Sequence, residues 1–367
     1  MNSHQVEKKL VNKMDIKHYR LYVLAIYSFC AMNNIAAQGV QATVTTSSNI
    51  ETPESRNMTD WLLRMHAASK KQAYIGTYVV SSGGTLSSAK IWHVGEDQQQ
   101  IERVETLTGA RKSIYRHNDR VVTFLPDQKV VRTEMRQSSS LFSELPQTTD
   151  HHIADFYKVK PEGVDRVAGM DADVVALLPK DGLRFGYRVW TVQKKGIVVK
   201  LQILDTDGKV LEQSAFSELQ VDAPVKMKEL VGMMGKVAGY RMEEHPVLLK
   251  TTANAEGWNM KTPVAGFKPI SCFKRPENGI TTNGSTSNGA TTLPSRESLQ
   301  CIYSDGLASV SVFVEKYVRL RHDNGLSISM GATKTTTRQV ADHWVTVMGE
   351  VPPPTLQLFI NGLEHRQ

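Results

Sequence analysis

Residues 73–94 have the sequence AYIGTYVVSSGGTLSSAKIWHV. It consists of two short runs rich in β-branched and aromatic residues, separated by Gly83 and Gly84. Residues of these types favour strands. Two adjacent glycines supply the backbone freedom that a tight turn between strands requires. The stretch therefore predicts a pair of antiparallel strands joined by a short turn.

The same pattern repeats as far as residue 222. Further strand candidates, separated by turn signals, lie at residues 100–107, 112–117, 120–125, 129–135, 163–169, 172–179, 183–192, 196–204 and 209–221. Between them, residues 136–160 form a loop or a helical insertion. Strands at this spacing are typical of an antiparallel meander, and a sheet of about a dozen strands coils or closes. The sequence predicts a mainly β (α+β) protein with one large, highly curved sheet.

The concave face of a curved sheet needs a cover. Residues 57–71 predict an amphipathic helix, because apolar residues recur there at helical spacing: Trp61, Leu62, Met65 and Ala68. Space that helices leave uncovered becomes an apolar pocket. We expect bulky residues on the central strands to line such a cavity for a lipid chain, and we name Tyr78, Phe124, Tyr187 and Trp190. For each of them, an ordinary core position is the alternative.

A second, smaller unit follows the large sheet. Residues 223–250 read as a linker that contains a short helix, and residues 251–367 read as a small sheet with a closing helix. Val310, Val312 and Val314 alternate as in a strand. The closing helix starts at Pro352–Pro354, where a proline without an N–H group is well tolerated. Its apolar stripe comprises Leu356, Phe359, Ile360 and Leu363.

The first 42 residues read as a secretory signal peptide. A basic segment, Lys8 to Arg20, precedes the apolar run LYVLAIYSFCAM and a stretch of small residues, which is the order that export signals have. The apolar run is too short for a membrane span, which needs about 20 residues. We expect cleavage near residues 37–42, a disordered leader at 43–56, and a periplasmic mature protein. Met14 is an alternative start of translation.

Composition and motifs exclude several classes of function. Without the five basic and two acidic residues of the signal peptide, 39 basic and 35 acidic residues remain, a net charge of +4. That balance favours an anionic partner but is no nucleic-acid signature. The chain carries no nucleophile elbow, zincin motif, P-loop or dinucleotide fingerprint. We predict no catalytic residues and no cofactor; an exported hydrolase is a minor alternative.

Two short motifs resemble metal sites. His151, His152 and Asp155 stand close together, but adjacent residues of a strand point to opposite faces, so we read this segment as a surface strand. The segment DTDGK, residues 205–209, has the first half of a calcium loop without its later ligands. We read it as a hairpin turn, and the sequence predicts no metal site.

Cys272 and Cys301 bracket a tract of Thr, Ser, Asn and Gly at 277–298. In an oxidising compartment, an even pair of cysteines usually forms a disulfide. A zinc site would need further ligands at knuckle spacing. The cysteines therefore predict a disulfide that pins the base of a flexible insertion, with free thiols as the alternative.

Four segments carry a family resemblance: YSDGLASVSVFVE, VMGEVPPPTLQLFINGLE, FKPISCFKRP and GKVLEQSAFSELQVD. The chain resembles the RseB/MucB family, periplasmic negative regulators of the extracytoplasmic stress sigma factor (sigma-E or AlgU type). The resemblance implies a large LolA/LolB-like domain at 57–222, an unclosed β-barrel with covering helices. It also implies a smaller α+β C-terminal domain at 251–367. The paired cysteines and the insertion depart from the family pattern.

The resemblance also implies partners and a mechanism. A protein of this kind binds the periplasmic segment of a single-pass anti-sigma factor (RseA or MucA type) and shields it from site-1 proteolysis. Binding of a lipid or lipopolysaccharide fragment then releases the anti-sigma factor. We expect Arg275, Tyr303 and Asp305 on the family-like motifs to contact the partner. A LolA-type carrier of lipids or lipoproteins is the alternative, and the oligomeric state, including a homo-oligomer, stays open.

Overall fold

The computed structural model describes residues 61, 65, 67, 68, 71–96, 99–135, 153–244, 248–275, 298–319, 322 and 327–366. The predicted signal peptide, the leader at 43–56, the pair His151–His152 and the insertion up to residue 297 lie outside the described residues. Of the predicted first helix, Trp61, Met65, Ala67, Ala68 and Lys71 are described, and all five are helical.

The large sheet has 12 strands in the order β12-β6-β5-β4-β3-β2-β1-β11-β10-β9-β8-β7. Neighbours are antiparallel except β12 and β6, which are parallel. Within the described ranges, β7 and β12 are the two edges and do not pair, so the sheet is not closed. The strands are β1 Tyr74–Ser82, β2 Thr85–Glu96, β3 Gln99–Thr106, β4 Ser113–His117, β5 Arg120–Leu125, β6 Val130–Met135, β7 Tyr157–Val167, β8 Met170–Pro179, β9 Gly186–Val192, β10 Val198–Leu204, β11 Val210–Val221 and β12 Arg241–Glu244.

The hairpin predicted at residues 73–94 is confirmed. Ser82 pairs with Thr85, so Gly83 and Gly84 are the two turn residues between β1 and β2. Both have positive φ angles, 54° and 76°, which a two-residue turn of this kind demands. A side chain at either position would strain the turn, which explains the Gly-Gly pair.

Both faces of the large sheet bury apolar side chains. One face carries the Tyr78 cluster, which includes Tyr74, Tyr78, Ile91, Val104, Val174, Trp190 and Phe216. The opposite face carries the Phe124 cluster, which includes Val94, Ile101, Tyr115, Val122, Phe124 and Val131. It also carries the Tyr187 cluster, which includes Met65, Ile153, Tyr157, Leu177, Tyr187 and Val189. Strand periodicity produces the division, since successive side chains point to opposite faces.

Two short helices cover parts of the sheet. Helix α1, Ile153–Phe156, leads directly into β7 and buries Ile153 in the Tyr187 cluster. Helix α2, Met227–Met234, buries Leu230 and Met234 in the Phe124 cluster. The segment predicted as a linker therefore contributes both α2 and the edge strand β12 to the large unit. The strand expected from residue 163 begins earlier, at Tyr157.

The smaller unit has a seven-stranded sheet in the order β13-β15-β16-β17-β20-β19-β18 and a two-stranded sheet, β14-β21. Helix α3, Pro353–Gly362, buries Leu356, Phe359 and Ile360 beside that sheet. Leu363 is also buried but starts β21, where the chain leaves the helix to pair with β14. The strands are β13 Leu249–Thr251, β14 Trp258–Met260, β15 Lys268–Arg275, β16 Ser298–Ser304, β17 Ser309–Lys316, β18 Ile328–Met330, β19 Thr333–Val340, β20 His343–Gly349 and β21 Leu363–His365.

These features confirm the predicted fold class, a mainly β protein with a large unclosed sheet and a smaller sheet-plus-helix unit. In the described part of the chain, no helix combines the length and the apolar character that crossing a membrane requires.

Candidate functional site

The four residues predicted to line a cavity are all buried, but they do not lie together. Tyr78 and Trp190 belong to the Tyr78 cluster, on one face of the large sheet. Phe124 lies on the other face, with its ring 5.4 Å from that of Tyr240. Tyr187 also lies on that face, with its ring 6.2 Å from that of Tyr157. Among the four, only Tyr78 and Trp190 therefore share one apolar surface.

Polar groups fix Trp190 at the border of the Tyr78 cluster. Its indole Nε1 donates a hydrogen bond to Oδ2 of Asp165, 3.0 Å away. The Lys200 ammonium lies 4.2 Å from the indole centroid, within the range of a cation–π interaction. Trp190 thus lies between a buried apolar cluster and two opposite charges, those of Lys200 and Asp165.

A buried polar group adjoins the same cluster. Glu102 is 2% exposed and accepts a hydrogen bond of 3.3 Å from Arg116 Nη1 at one carboxylate oxygen. Its other oxygen, Oε2, has no hydrogen-bond partner. His93 stands opposite Glu102 in the register of β2 and β3, and its Nδ1 lies 2.8 Å from the Gln72 carbonyl.

Burial shifts the pKa values of Glu102, His93 and Tyr78. It raises the pKa of Glu102, an effect that Arg116 opposes. It lowers the pKa of His93, although the bond to the Gln72 carbonyl acts the other way. It also raises the pKa of Tyr78, and the Glu102 charge adds to that rise. Glu102 is not among the residues predicted from the sequence, but strand periodicity could have indicated it. It stands two residues before Val104 and therefore lies on the face of β3 that carries the Tyr78 cluster.

The two units meet at a buried ion pair. The Arg184 and Asp305 side chains are both fully buried, and Arg184 Nε donates to Asp305 Oδ2 across 2.6 Å. Tyr157 donates its hydroxyl to the same oxygen at 3.1 Å. The other carboxylate oxygen accepts the backbone N–H groups of Leu307 and Ala308, at 2.8 and 2.7 Å. Asp305 therefore fastens a turn of the smaller unit to β7 and Arg184 of the larger unit.

All three guanidinium nitrogens of Arg184 donate hydrogen bonds. Besides Asp305, its guanidinium binds Asp181 and donates to the Ala265 carbonyl at 2.5 Å. Its Cζ also lies over two aromatic rings, 4.2 Å from the centroid of Phe156 and 5.0 Å from that of Phe267. Burial raises the pKa of Asp305, whereas the two backbone N–H groups and Arg184 oppose that rise. We call Arg184, Asp305 and Tyr157 the junction triad.

A second contact between the units lies at the tip of the β1–β2 hairpin. Gly331, in the turn between β18 and β19, lies close to this hairpin. A Cβ added to Gly331 would lie 2.0 Å from Ser82 Oγ and 2.8 Å from Glu212 Oε2. Ser82 Oγ donates to Glu212 at 2.6 Å. Gly331 has a φ of +58°, so glycine meets both the conformation and the close approach.

The residues predicted to contact a partner occupy different environments. Asp305 belongs to the junction triad. Tyr303 is buried, with its ring 5.2 Å from that of Phe359. Arg275 is half-buried at the end of β15, and its Nε has no hydrogen-bond partner. A role in partner binding stays a prediction for all three residues.

The predicted disulfide is confirmed. Cys272 on β15 and Cys301 on β16 stand directly opposite each other, and their sulfur atoms are bonded. Both side chains lie in the core of the smaller unit, beside Val312 and Val347. The bond joins β15 and β16, the two strands that flank residues 276–297.

Comparison with known proteins identifies the family. Residues 57–234 match the MucB/RseB N-terminal domain, and residues 252–364 match the MucB/RseB C-terminal domain. The sigma factor AlgU regulatory protein MucB of Pseudomonas aeruginosa is 26% identical over 314 residues, which are 83% of this chain and 90% of the relative. The sigma-E factor regulatory protein RseB of Salmonella typhimurium is 23% identical over 311 residues, 83% of this chain and 90% of the relative.

Solved structures show the same fold. The crystal structure of MucB in complex with MucA(peri) superimposes with a TM-score of 0.61 at 24% identity, over 84% of this chain and 99% of that one. The structure of the Pseudomonas aeruginosa MucA/MucB complex gives a TM-score of 0.62 at 24% identity, over 85% and 99%. The relatives are regulatory proteins, not enzymes. With both of its domains matched, the chain belongs to the MucB/RseB family.

Proposed function

We propose that this chain is a periplasmic stress-sensor regulator that binds the periplasmic segment of a single-pass anti-sigma factor of the RseA/MucA type. The observation that carries the proposal is the family match over both domains, residues 57–234 and 252–364. A relative with the same fold has been solved in complex with MucA(peri). A LolA-type carrier would need only the large domain, so the second domain favours the regulator.

Binding protects the anti-sigma factor from the site-1 protease that starts its degradation. Protection requires that the bound segment be held away from the protease, and a two-unit surface offers more contact area than one sheet alone. The junction triad holds the units in one arrangement through a fully buried ion pair. A partner that spans both units therefore meets a preorganised surface and loses less conformational freedom on binding.

A lipid or lipopolysaccharide fragment releases the partner. The acyl chains would insert into the Tyr78 cluster, whose residues are buried in the free protein. Lys200 beside Trp190 would attract an anionic head group in competition with Asp165. If the ligand binds only the released form, the partner and the ligand lower each other's affinity by the same factor. Release is then a thermodynamic consequence of ligand binding, and it needs no covalent step.

A binding titration tests the proposal. The mature chain is titrated calorimetrically with a purified periplasmic segment of an anti-sigma factor, alone and with a lipopolysaccharide fragment present. The proposal expects saturable binding that the fragment weakens, and slower cleavage of the segment by a site-1 protease when the chain is bound. Absence of binding would refute the regulator.

The carrier remains the second candidate because the Tyr78 cluster lies on the large sheet by itself. A carrier would bind the acyl chains of a lipoprotein with the same affinity whether or not the anti-sigma segment is present. An affinity for lipid that does not change when the anti-sigma segment is added would favour the carrier.

A further inference from the structure

A three-residue cluster in the smaller unit has the composition of a metal site. Asp342, His343 and His365 each point one ligand atom toward the others, and these atoms all lie within 4.8 Å of one another. The two imidazole rings are 4.8 Å apart, centroid to centroid. Asp342 and His343 are adjacent in the chain, whereas His365 lies more than 20 positions further on, so no sequence motif contains all three.

Rigid backbone holds each member of the cluster. Asp342 is in the turn between β19 and β20, and His343 is the first residue of β20. His365 ends β21 and stands directly opposite Trp258 of β14. The Trp258 indole, 3% exposed, contacts both rings, at 5.2 Å from that of His343 and 4.7 Å from that of His365. The two histidines are therefore positioned by strands and by a shared aromatic support.

Asp342 and His343 are already in direct contact. Oδ1 of Asp342 lies 2.8 Å from Nδ1 of His343. That distance is within the range of an ion pair or a charge-assisted hydrogen bond. Binding a shared metal ion would therefore separate these two atoms slightly.

We propose that Asp342, His343 and His365 bind a divalent transition-metal ion, with zinc as the preferred occupant in an exported protein. Two imidazoles and one carboxylate are a common ligand set for zinc, with water in the remaining position. Ligand atoms at zinc's bond lengths are about 3.4 Å apart, so small side-chain rotations close the cluster. The same nitrogen-rich set binds copper and nickel, and copper binds most tightly in the usual affinity order.

The surroundings set the strength of the site. Asp342 is well exposed, with 74% of its side chain accessible, so the ion reaches the site from solvent. Lys316 stands opposite His343 in the register of β17 and β20, and its charge opposes cation binding. A bound ion would join the two-stranded sheet to the seven-stranded sheet through His365 and His343. This inference concerns a site that is separate from the proposed binding of the anti-sigma factor, and it departs from the sequence-based prediction of no metal site.

The experiment uses the mature chain without an affinity tag, stripped of metal with a chelator. Zinc is titrated in competition with a chromophoric chelator, and cobalt is added separately to read the coordination from its visible absorption. The test variants are His365→Ala and Asp342→Asn, and the matched control is His117→Ala, in β4 of the other unit. Circular dichroism verifies that each variant is folded.

We expect one zinc ion per chain, a cobalt spectrum typical of nitrogen and oxygen ligands, and a loss of at least about tenfold in affinity for each test variant. The control should bind as the natural chain does. Asp342 is exposed in a turn, so Asp342→Asn tests the site even if His365→Ala disturbs the fold. No saturable binding, or equal binding by the natural chain and Asp342→Asn, would overturn the proposal.

Discussion

Breaking the junction triad should uncouple the two units. Arg184→Met leaves Asp305 without its cation, and Asp305→Asn leaves the Arg184 charge buried with Asp181 as the remaining anion. Both side chains are fully buried, and removing one partner of a buried pair costs about 3–5 kcal/mol. We expect roughly 3 kcal/mol for Asp305→Asn, because an amide at this position keeps its shape and retains one acceptor for the backbone N–H groups.

Differential scanning calorimetry provides the assay. The natural chain should unfold with strongly coupled transitions of the two units, and either variant should separate them or lower both. The double variant should lose less than the sum of the two single variants, because removing both charges leaves none uncompensated.

An exposed ion pair serves as the control. Arg111 and Asp127 are 2.6 Å apart, but 77% and 49% of their side chains are accessible. Asp127→Asn should therefore cost under about 1 kcal/mol. If Asp305→Asn costs no more than Asp127→Asn, or if the two single effects add fully, the reasoning about the junction is refuted.

Three further predictions concern burial, the disulfide and the ligand. Burial raises the pKa of Glu350 to about 8 from an ordinary value of 4.5, so its contribution to stability is fully present below pH 4.5 and is lost as the pH rises toward 8. Glu350→Gln should reduce the decrease of the urea midpoint between pH 4.5 and 8. An unchanged decrease would contradict the raised pKa of Glu350. The Cys272–Cys301 bond closes a loop of 29 residues and should add about 3.5 kcal/mol to the free energy of unfolding. Reduction of the bond, or Cys301→Ala, should therefore lower the urea midpoint. Equal midpoints would show that the bond adds no stability. Trp190→Ala should weaken binding of a lipopolysaccharide fragment without unfolding the chain, and unchanged affinity would move the ligand away from the Tyr78 cluster.

Local patterns predicted much of the fold. The Gly83–Gly84 turn, the series of strands and the closing helix all follow from signals within about ten residues, where turn chemistry and periodicity act. Such local signals specify only the pairing of strands that follow each other in the sequence. The parallel pairing of β12 with β6 was not foreseen, because residues 241–244 carry no local mark of the strand that they meet.

The site was predicted less completely, for the same reason. Tyr78 and Trp190 share a surface, but Phe124 and Tyr187 lie on the other face of the sheet. Strand periodicity shows which residues of one strand share a face. Which residues of different strands share a face depends on the register between those strands, which the sequence does not show. Arg184 and Asp305 are 121 residues apart, and their pairing depends on how the two units pack. The structure places the Asp305 carboxylate in the junction, and the contact with a partner that its motif predicts stays a prediction.

The central claim is that this chain binds a periplasmic anti-sigma segment in competition with lipid. The most direct measurement is the affinity of a fluorescently labelled segment for the mature chain as a lipopolysaccharide fragment is added. We expect tight binding of the segment that weakens as the fragment saturates the chain. A saturating concentration of the segment should weaken binding of the fragment by the same factor. A chain that does not bind the segment, or binds both ligands independently, would contradict the account.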